Sequence, residues 1–403
     1  MASPIPTDAA IVKAFIARAG SKPWGLRMEA IAREAARSQR VGRALAQQHA
    51  IEVTIERLRR GGCPAPTTPA DICVMRLVRE AVRVDRALTP TGRARFRAAL
   101  AAAMVNEKTL IPVFHLLRTA ALQRSRGFDV YFAGLEDDAS FDLLLTRDGA
   151  EAEIVCDVVS AEDGRDVHRG AWVQLVDGID ADLQTWLSSH PGRYLLKLTL
   201  PQGLSNEGTQ LVELQQRIRT MLATQRRSDN DEACVLRLDP LMLAASQVND
   251  RTSDPGLMSS LRHEFGHQAH LAITTNAGRG LLVLAARAGR EDEVAVAIRR
   301  RMAALAPARL SGTRPGILAM FVEDTDRTEW RHLRDKLELE GEARQFLTHP
   351  EARTVVAVTC ASRLELFGSC APHAAPDGEL RFRNPSHPAA KTAGLAPAVL
   401  SSV

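Results

Sequence analysis

The stretch that most narrows the possible folds is residues 140–169, SFDLLLTRDGAEAEIVCDVVSAEDGRDVHR. Two apolar runs flank Arg147-Asp148-Gly149, and an Asp-Gly pair between such runs is a strong local signal for a β-hairpin. Successive side chains on a strand point to opposite faces. The second run therefore places Glu151, Glu153, Val155, Asp157 and Val159 on one face and Ile154, Cys156 and Val158 on the other. The apolar set belongs in a core. The acidic set, joined by Asp142 from the first run, predicts an edge suited to one hard cation, Mg2+ or Mn2+, held by Asp142 with Asp157 or Glu153, because such ions prefer oxygen ligands.

Composition frames this hairpin. The 403 residues suffice for two or three domains, and 45% hydrophobic with 25% charged residues is the balance of an ordinary globular protein. The formal charge of +4 is compatible with a nucleic-acid partner without requiring one. Only six of the 52 basic residues are Lys, and with abundant Ala this bias reads as a GC-rich genome rather than as phosphate recognition. Six cysteines without a CxxC pair predict reduced thiols and a cytoplasmic setting. The opening MASPIPTDAAIVKAF lacks the pattern of a signal peptide, and no apolar window predicts a membrane span. Aromatic residues, at 4%, argue against a base-stacking single-strand binder. P-loop, Rossmann, GxSxG and zinc-finger spacings are absent.

Along the chain, residues 7–125 carry Ala, Leu and Arg at helical spacing, broken where Gly and Pro cluster at 61–66 and 89–92. From about residue 108 the pattern becomes mixed. A helix over TLIPVFHLLRTAALQRS leads to the strand DVYFAGL, the hairpin, a helix from Ala171, an apolar strand RYLLKLTLP, a further helix and the strand CVLRLDP. HLAITTN and GLLVLAAR predict a second hairpin about Ala277-Gly278-Arg279. A helix EVAVAIRRRMAALAP, a strand GILAMFVED, a helix containing Trp330 and a strand VVAVTCAS complete the series. Residues 371–403, with several Pro, Ala and Ser and no apolar period, predict a disordered tail.

This order, with the acids of the hairpin, resembles the PD-(D/E)XK nuclease superfamily over residues 108–368. In that superfamily an acid on one strand and an acid-x-Lys triplet on the next hold Mg2+ and activate water. A group of bacterial members carries Glu-Cys-Lys followed by a Ser-x-Asp-x-Gly-Arg loop. This chain keeps Cys156, Ser160 and Gly164-Arg165, but has Val155 where the Glu and Asp157 where the Lys would stand.

The resemblance implies an α/β fold with a mixed central sheet flanked by helices, restriction-endonuclease-like. An all-helical N-terminal domain over 1–107 would precede the α/β domain at 108–370. It implies Mg2+-dependent cleavage of DNA by Asp142, Glu153 and Asp157, with charge from Arg165 or from Lys197 as a migrated lysine. Ser160, Asp163, Arg165, His168 and Gln174 would line the substrate. An Asp in the lysine's place adds negative charge against a phosphate. The altered triplet thus equally implies a catalytically inactive module that binds nucleic acid or protein.

A rival motif is His263-Glu264-Phe265-Gly266-His267. On one continuous helix His263 and His267 would lie a turn apart and bind Zn2+, with Glu264 as the general base of a metalloprotease. Gly266 weakens that helix, and no third zinc ligand stands at a recognised spacing. The bland alternative is surface histidines.

Overall fold

The structure is a computed structural model that describes residues 7–402 except 38, 63–66, 107, 206–208, 242–254, 267 and 277–279. Six helices come first: α1 (Asp8–Ala19), α2 (Ser21–Arg37), α3 (Gln39–Gln48), α4 (Ala50–Arg60), α5 (Pro69–Ala87) and α6 (Pro90–Ala103). Their starts follow from capping chemistry. Thr68 and Asp71 form a reciprocal capping box on α5, and Thr89 caps α6 with Pro90 in the first turn. Then follow α7 (Ile111–Ser125), β1 (Asp129–Tyr131), the single turn α8 (Ala133–Glu136), β2 (Leu143–Arg147) and β3 (Ala150–Ser160). Next are α9 (Arg169–Ser189), β4 (Gly192–Leu200), α10 (Gln210–Ala223), β5 (Ser228–Asn230), β6 (Val235–Pro240), α11 (Pro255–Phe265), β7 (His270–Asn276) and β8 (Gly280–Ala288). The chain closes with α12 (Val294–Arg309), β9 (Gly316–Glu323), α13 (Arg327–Asp335), α14 (Glu338–Leu347), β10 (Val355–Ser362), α15 (Arg363–Leu366), β11 (Leu380–Arg383) and α16 (Ala396–Val399).

The protein is thus α/β, with helices and two mixed sheets. It divides into two compact units. One comprises 1–33, 46–161 and 295–403, and the other comprises 34–45 and 162–294. The boundary expected at 107/108 does not fall between them. Phe15 on α1 meets Phe114 on α7 edge to face at 5.8 Å, so the first helices share a core with the helix that precedes β1.

In the first unit six strands run in the order β1-β2-β3-β9-β10-β11. β1, β2 and β3 form an antiparallel meander, β3, β9 and β10 are parallel, and β11 returns antiparallel. The β2–β3 turn is the predicted one. Asp148 and Gly149 take φ of 49° and 75°, the pair of left-handed conformations a two-residue hairpin turn needs. β10 is buried at every position and β9 at all but its last, as befits parallel strands covered on both faces.

The tail expected over 371–403 is instead ordered through residue 402. β11 pairs with β10, and Leu380 and Phe382 are buried. The expectation failed because four residues with two apolar anchors are too short to show a period.

The second unit is built on the sheet β5-β6-β4-β8-β7, parallel only at β4–β8. Even positions of β4 pack with α9 and α10 around Leu183, Ile218 and Leu284. Odd position Leu195 packs with Leu257 and Leu261 of α11. The apolar strand RYLLKLTLP is β4 and belongs here rather than to the hairpin's sheet. The next strand beside β3 is β9, reached only after the whole second unit. β7 and β8 form the second predicted hairpin, and its turn residues lie outside the described residues. Among the described residues no helix is long and apolar enough to cross a membrane.

Candidate functional site

Asp142 stands immediately before β2, opposite Val155, since Leu143 pairs with Ile154. Its Oδ2 accepts the Cys156 backbone N–H at 2.8 Å, and its Oδ1 accepts Arg309 Nη2 at 3.1 Å. Arg309 also donates from Nε to the Ser140 carbonyl, which fixes the guanidinium across the start of β2. Burial pushes the Asp142 carboxyl above its usual range, against the pull of Arg309 and of the Cys156 N–H.

Asp157 is gripped by two donors of one guanidinium. Arg301 Nε and Nη2 reach its two oxygens at 2.6 and 2.9 Å, the fork geometry of a bidentate pair. Arg301 and Arg309 both lie on α12, so one helix reaches both acids. The opposite face of β3 belongs to α7. His115 Nε2 donates to the Ala319 carbonyl at 2.8 Å, and its ring lies 5.4 Å from Phe321, whose strand partner is Val158. Burial pushes His115 down to about 4, so the ring is neutral at pH 7. Cys156, on that face too, is pushed well above the usual thiol range by burial, which makes it a packing residue rather than a nucleophile.

Glu153 is 0% exposed. Its oxygens accept the Ser311 N–H at 2.9 Å and the Ser311 hydroxyl, while Glu151 is held by Arg314 Nε at 2.6 Å. Val155, between the acids, is fully buried and offers no ligand atom.

These residues do not fit a divalent cation bound as the superfamily binds one. Each of the three acids already receives charged or backbone donors, and the middle ligand position is apolar. Among the described residues no group of three His, Cys, Asp or Glu side chains is placed to cage a metal.

The loop after β3 is a local structure of its own. Ser160 Oγ donates to Asp324 Oδ2 at 2.6 Å. Glu162 pairs with Arg165 and accepts the Arg169 N–H at 2.7 Å, tying the turn to the start of α9. Arg165 is buried in that pair, whereas Asp163 is exposed. His168 is the N-cap residue of α9 and its N–H donates to the Leu204 carbonyl at 2.8 Å. Gln174 is exposed on α9. Lys197 lies on β4, where Nζ is 3.5 Å from Asp239 Oδ2. Arg165, His168, Gln174 and Lys197 thus belong to the second unit, and Asp142, Glu153 and Asp157 to the first.

His263 and Glu264 are exposed near the end of α11. The helix stops at Phe265 and Gly266 takes φ of 86°, so the continuous turn that the zinc spacing requires is absent. His267 lies outside the described residues.

Sequence reasoning missed Arg301, Arg309 and Ser311. The available signal was the pair of arginines eight positions apart on EVAVAIRRRMAALAPAR, which at 3.6 residues per turn lie near one face. Comparison with protein-family models, with curated proteins and with solved structures gave no match.

Proposed function

We infer that this protein is a nuclease-like module that binds nucleic acid without hydrolysing it. The reading is supported by the meander β1-β2-β3 continued by parallel strands, with an acid at the start of β2 opposite the acid-bearing end of β3. One observation carries the loss of catalysis. Arg301 and Arg309, from a single helix, hold Asp157 and Asp142, where a hydrolase of this layout needs a metal and a free lysine. Two guanidiniums supply the positive charge that a cation would bring, and Arg cannot act as a base at neutral pH. The formal charge of +4 is compatible with a polyanion as partner. Cys73, Cys156, Cys234, Cys360 and Cys370 are free thiols, which agrees with a reducing cytoplasm.

The test has two arms. Fluorescence anisotropy with duplex DNA is expected to show binding that weakens as salt rises. Incubation of plasmid DNA with Mg2+ or Mn2+ is expected to leave it intact. Metal-dependent nicking that vanishes in Asp142→Ala would overturn the reading, and absence of any DNA binding would remove nucleic acid as the partner.

A further inference from the structure

The outer face of α5 carries Arg76, Arg79, Arg83 and Arg86, and all four are exposed. Steps of three, four and three residues put them in one narrow stripe, roughly 15 Å long at 1.5 Å per residue. Val74, Leu77, Val78 and Ala81 face the other way and are buried. Residues three or four apart on a helix are neighbours, and like charges at that spacing weaken it. Only two of the four arginines have an acid. Arg79 Nη2 donates to Asp8 Oδ1 at 2.6 Å, and Arg83 donates to the two oxygens of Glu80 at 2.9 and 2.7 Å. Glu80 is shared with Arg124. The guanidiniums of Arg76 and Arg86 have no partner among the described residues. A merely solvated helix face is ordinarily laced with both signs of charge, and this one is not.

The stripe borders a groove. Ile11 of α1, with Arg79, Val82, Arg83, Arg86 and Ala87 of α5, lines a hollow of about 390 Å3. At the C-terminal end of α5, Asp85 is 1% exposed and accepts from both Arg18 and Arg97. Arg93 donates to the carbonyls of Asp85 at 2.8 Å and Leu88 at 3.1 Å. These bonds hold further guanidiniums in place beside the stripe. Together α1, α5 and α6 carry nine Lys and Arg against four Asp and Glu. That excess is larger than the +4 of the whole chain, so the basic charge is concentrated on these helices.

We propose that the α5 stripe is the face that receives the phosphate backbone of double-stranded DNA, which rests on the nucleic-acid reading above. One strand of a duplex presents a phosphate about every 3.4 Å of axis, so a stripe of roughly 15 Å matches about four of them. The planar fork of arginine can bond a carboxylate on one edge and a phosphate on another. Phe15 and Phe96, the aromatic residues of α1 and α6, are fully buried, and α5 has none. The face therefore stacks no bases and meets the backbone whatever the sequence. An acidic peptide has no comparable fixed repeat of charge.

Fluorescence anisotropy of the full chain with a short duplex, over a range of salt, tests this. Arg76→Ala combined with Arg86→Ala deletes no bond that the fold uses, so thermal unfolding should be unchanged or slightly raised. Its affinity should fall by about tenfold, and the slope of log affinity against log salt should drop by about 2. Arg327→Ala with Lys336→Ala removes two exposed cations from α13 and controls for net charge. That pair should change affinity by less than about twofold. Equal weakening by the two pairs would show that net charge alone matters and would overturn the stripe. Wild-type binding that survives Arg76→Ala/Arg86→Ala also overturns it, while leaving the nucleic-acid reading in place. No binding by the wild type removes both. Preference for polyglutamate over the duplex, lost in the same variant, overturns DNA as the occupant and assigns the stripe to an acidic protein segment.

Discussion

Two groups of acids in the first unit differ in how their oxygens are matched. Asp142, Glu153 and Asp157 present six carboxylate oxygens, and every one has a donor from Arg301, Arg309, Ser311 or the Cys156 backbone. Near Glu52 and Glu323 the guanidiniums of Arg27 and Arg363 donate their hydrogen bonds to backbone carbonyls, Arg27 Nη1 lies 3.8 Å from Glu52 Oε1, and Glu52 Oε2 has no hydrogen-bond donor among the described residues. Burial, reinforced by the charge of Asp324, pushes Glu323 up to about 7. Acids on a strand edge therefore do not by themselves mark a reactive centre.

The largest test of the matched group is Glu153→Ala. Glu153 is fully buried, and its removal orphans the Ser311 N–H and hydroxyl. The variant should lose about 3 kcal/mol of stability, as buried hydrogen-bond networks do when one partner is deleted. Urea unfolding reads this, and a loss under about 1 kcal/mol would mean the acid is not the anchor of that turn.

The unmatched group should show the opposite sign. Glu323 binds its proton more tightly folded, near pH 7, than at its ordinary value of 4.5. Its contribution to stability is full below about pH 4.5 and is lost as pH rises through 7. Glu323→Gln, measured with EDTA present, should match the wild type at low pH and exceed it above pH 8 by on the order of 2 kcal/mol. A difference that stays flat with pH would show that Glu323 titrates normally and would erase the contrast.

The hairpin and its turn were legible because they are local: alternation sets the faces, and Asp148-Gly149 sets the turn. The partners of its acids were not. Arg301 lies 144 residues from Asp157, and no periodicity links positions across an inserted unit. The sheet that holds Lys197 was not legible for the same reason, since an apolar strand carries no mark of which sheet it will join. The Glu52–Glu323 group draws on α4, the start of α7 and the end of β9, so only the assembled topology brings it together.

Arg301→Ala and Arg309→Ala should each cost about 1 kcal/mol, less than a buried pair, because both guanidiniums are partly open to solvent. They also ask whether removing the clamps uncovers a metal site. If Mn2+ then binds in a manner lost on adding Asp142→Asn, the helix is what keeps the hairpin acids from a cation. If it does not, Val155 in the middle position is sufficient cause.

Lys197→Ala should do least. The ammonium is 45% exposed, pairs with Asp239 at 3.5 Å across β4–β6, and lies in the other unit from Asp142. An exposed pair of this kind contributes little, so stability should change by under about 0.5 kcal/mol. On DNA the variant should behave as the loss of one charge, lowering the salt slope by at most about 1. The comparison depends on this residue more than its small effect implies. Under the nuclease-like reading proposed above, a lysine that reached the hairpin would supply the amine missing beside Asp157, and the matched acids would become half of an active centre. If the wild type nicks plasmid DNA and Lys197→Ala abolishes nicking while leaving stability unchanged, the lysine acts at the hairpin, and the ion pairs with Arg301 and Arg309 must open for catalysis.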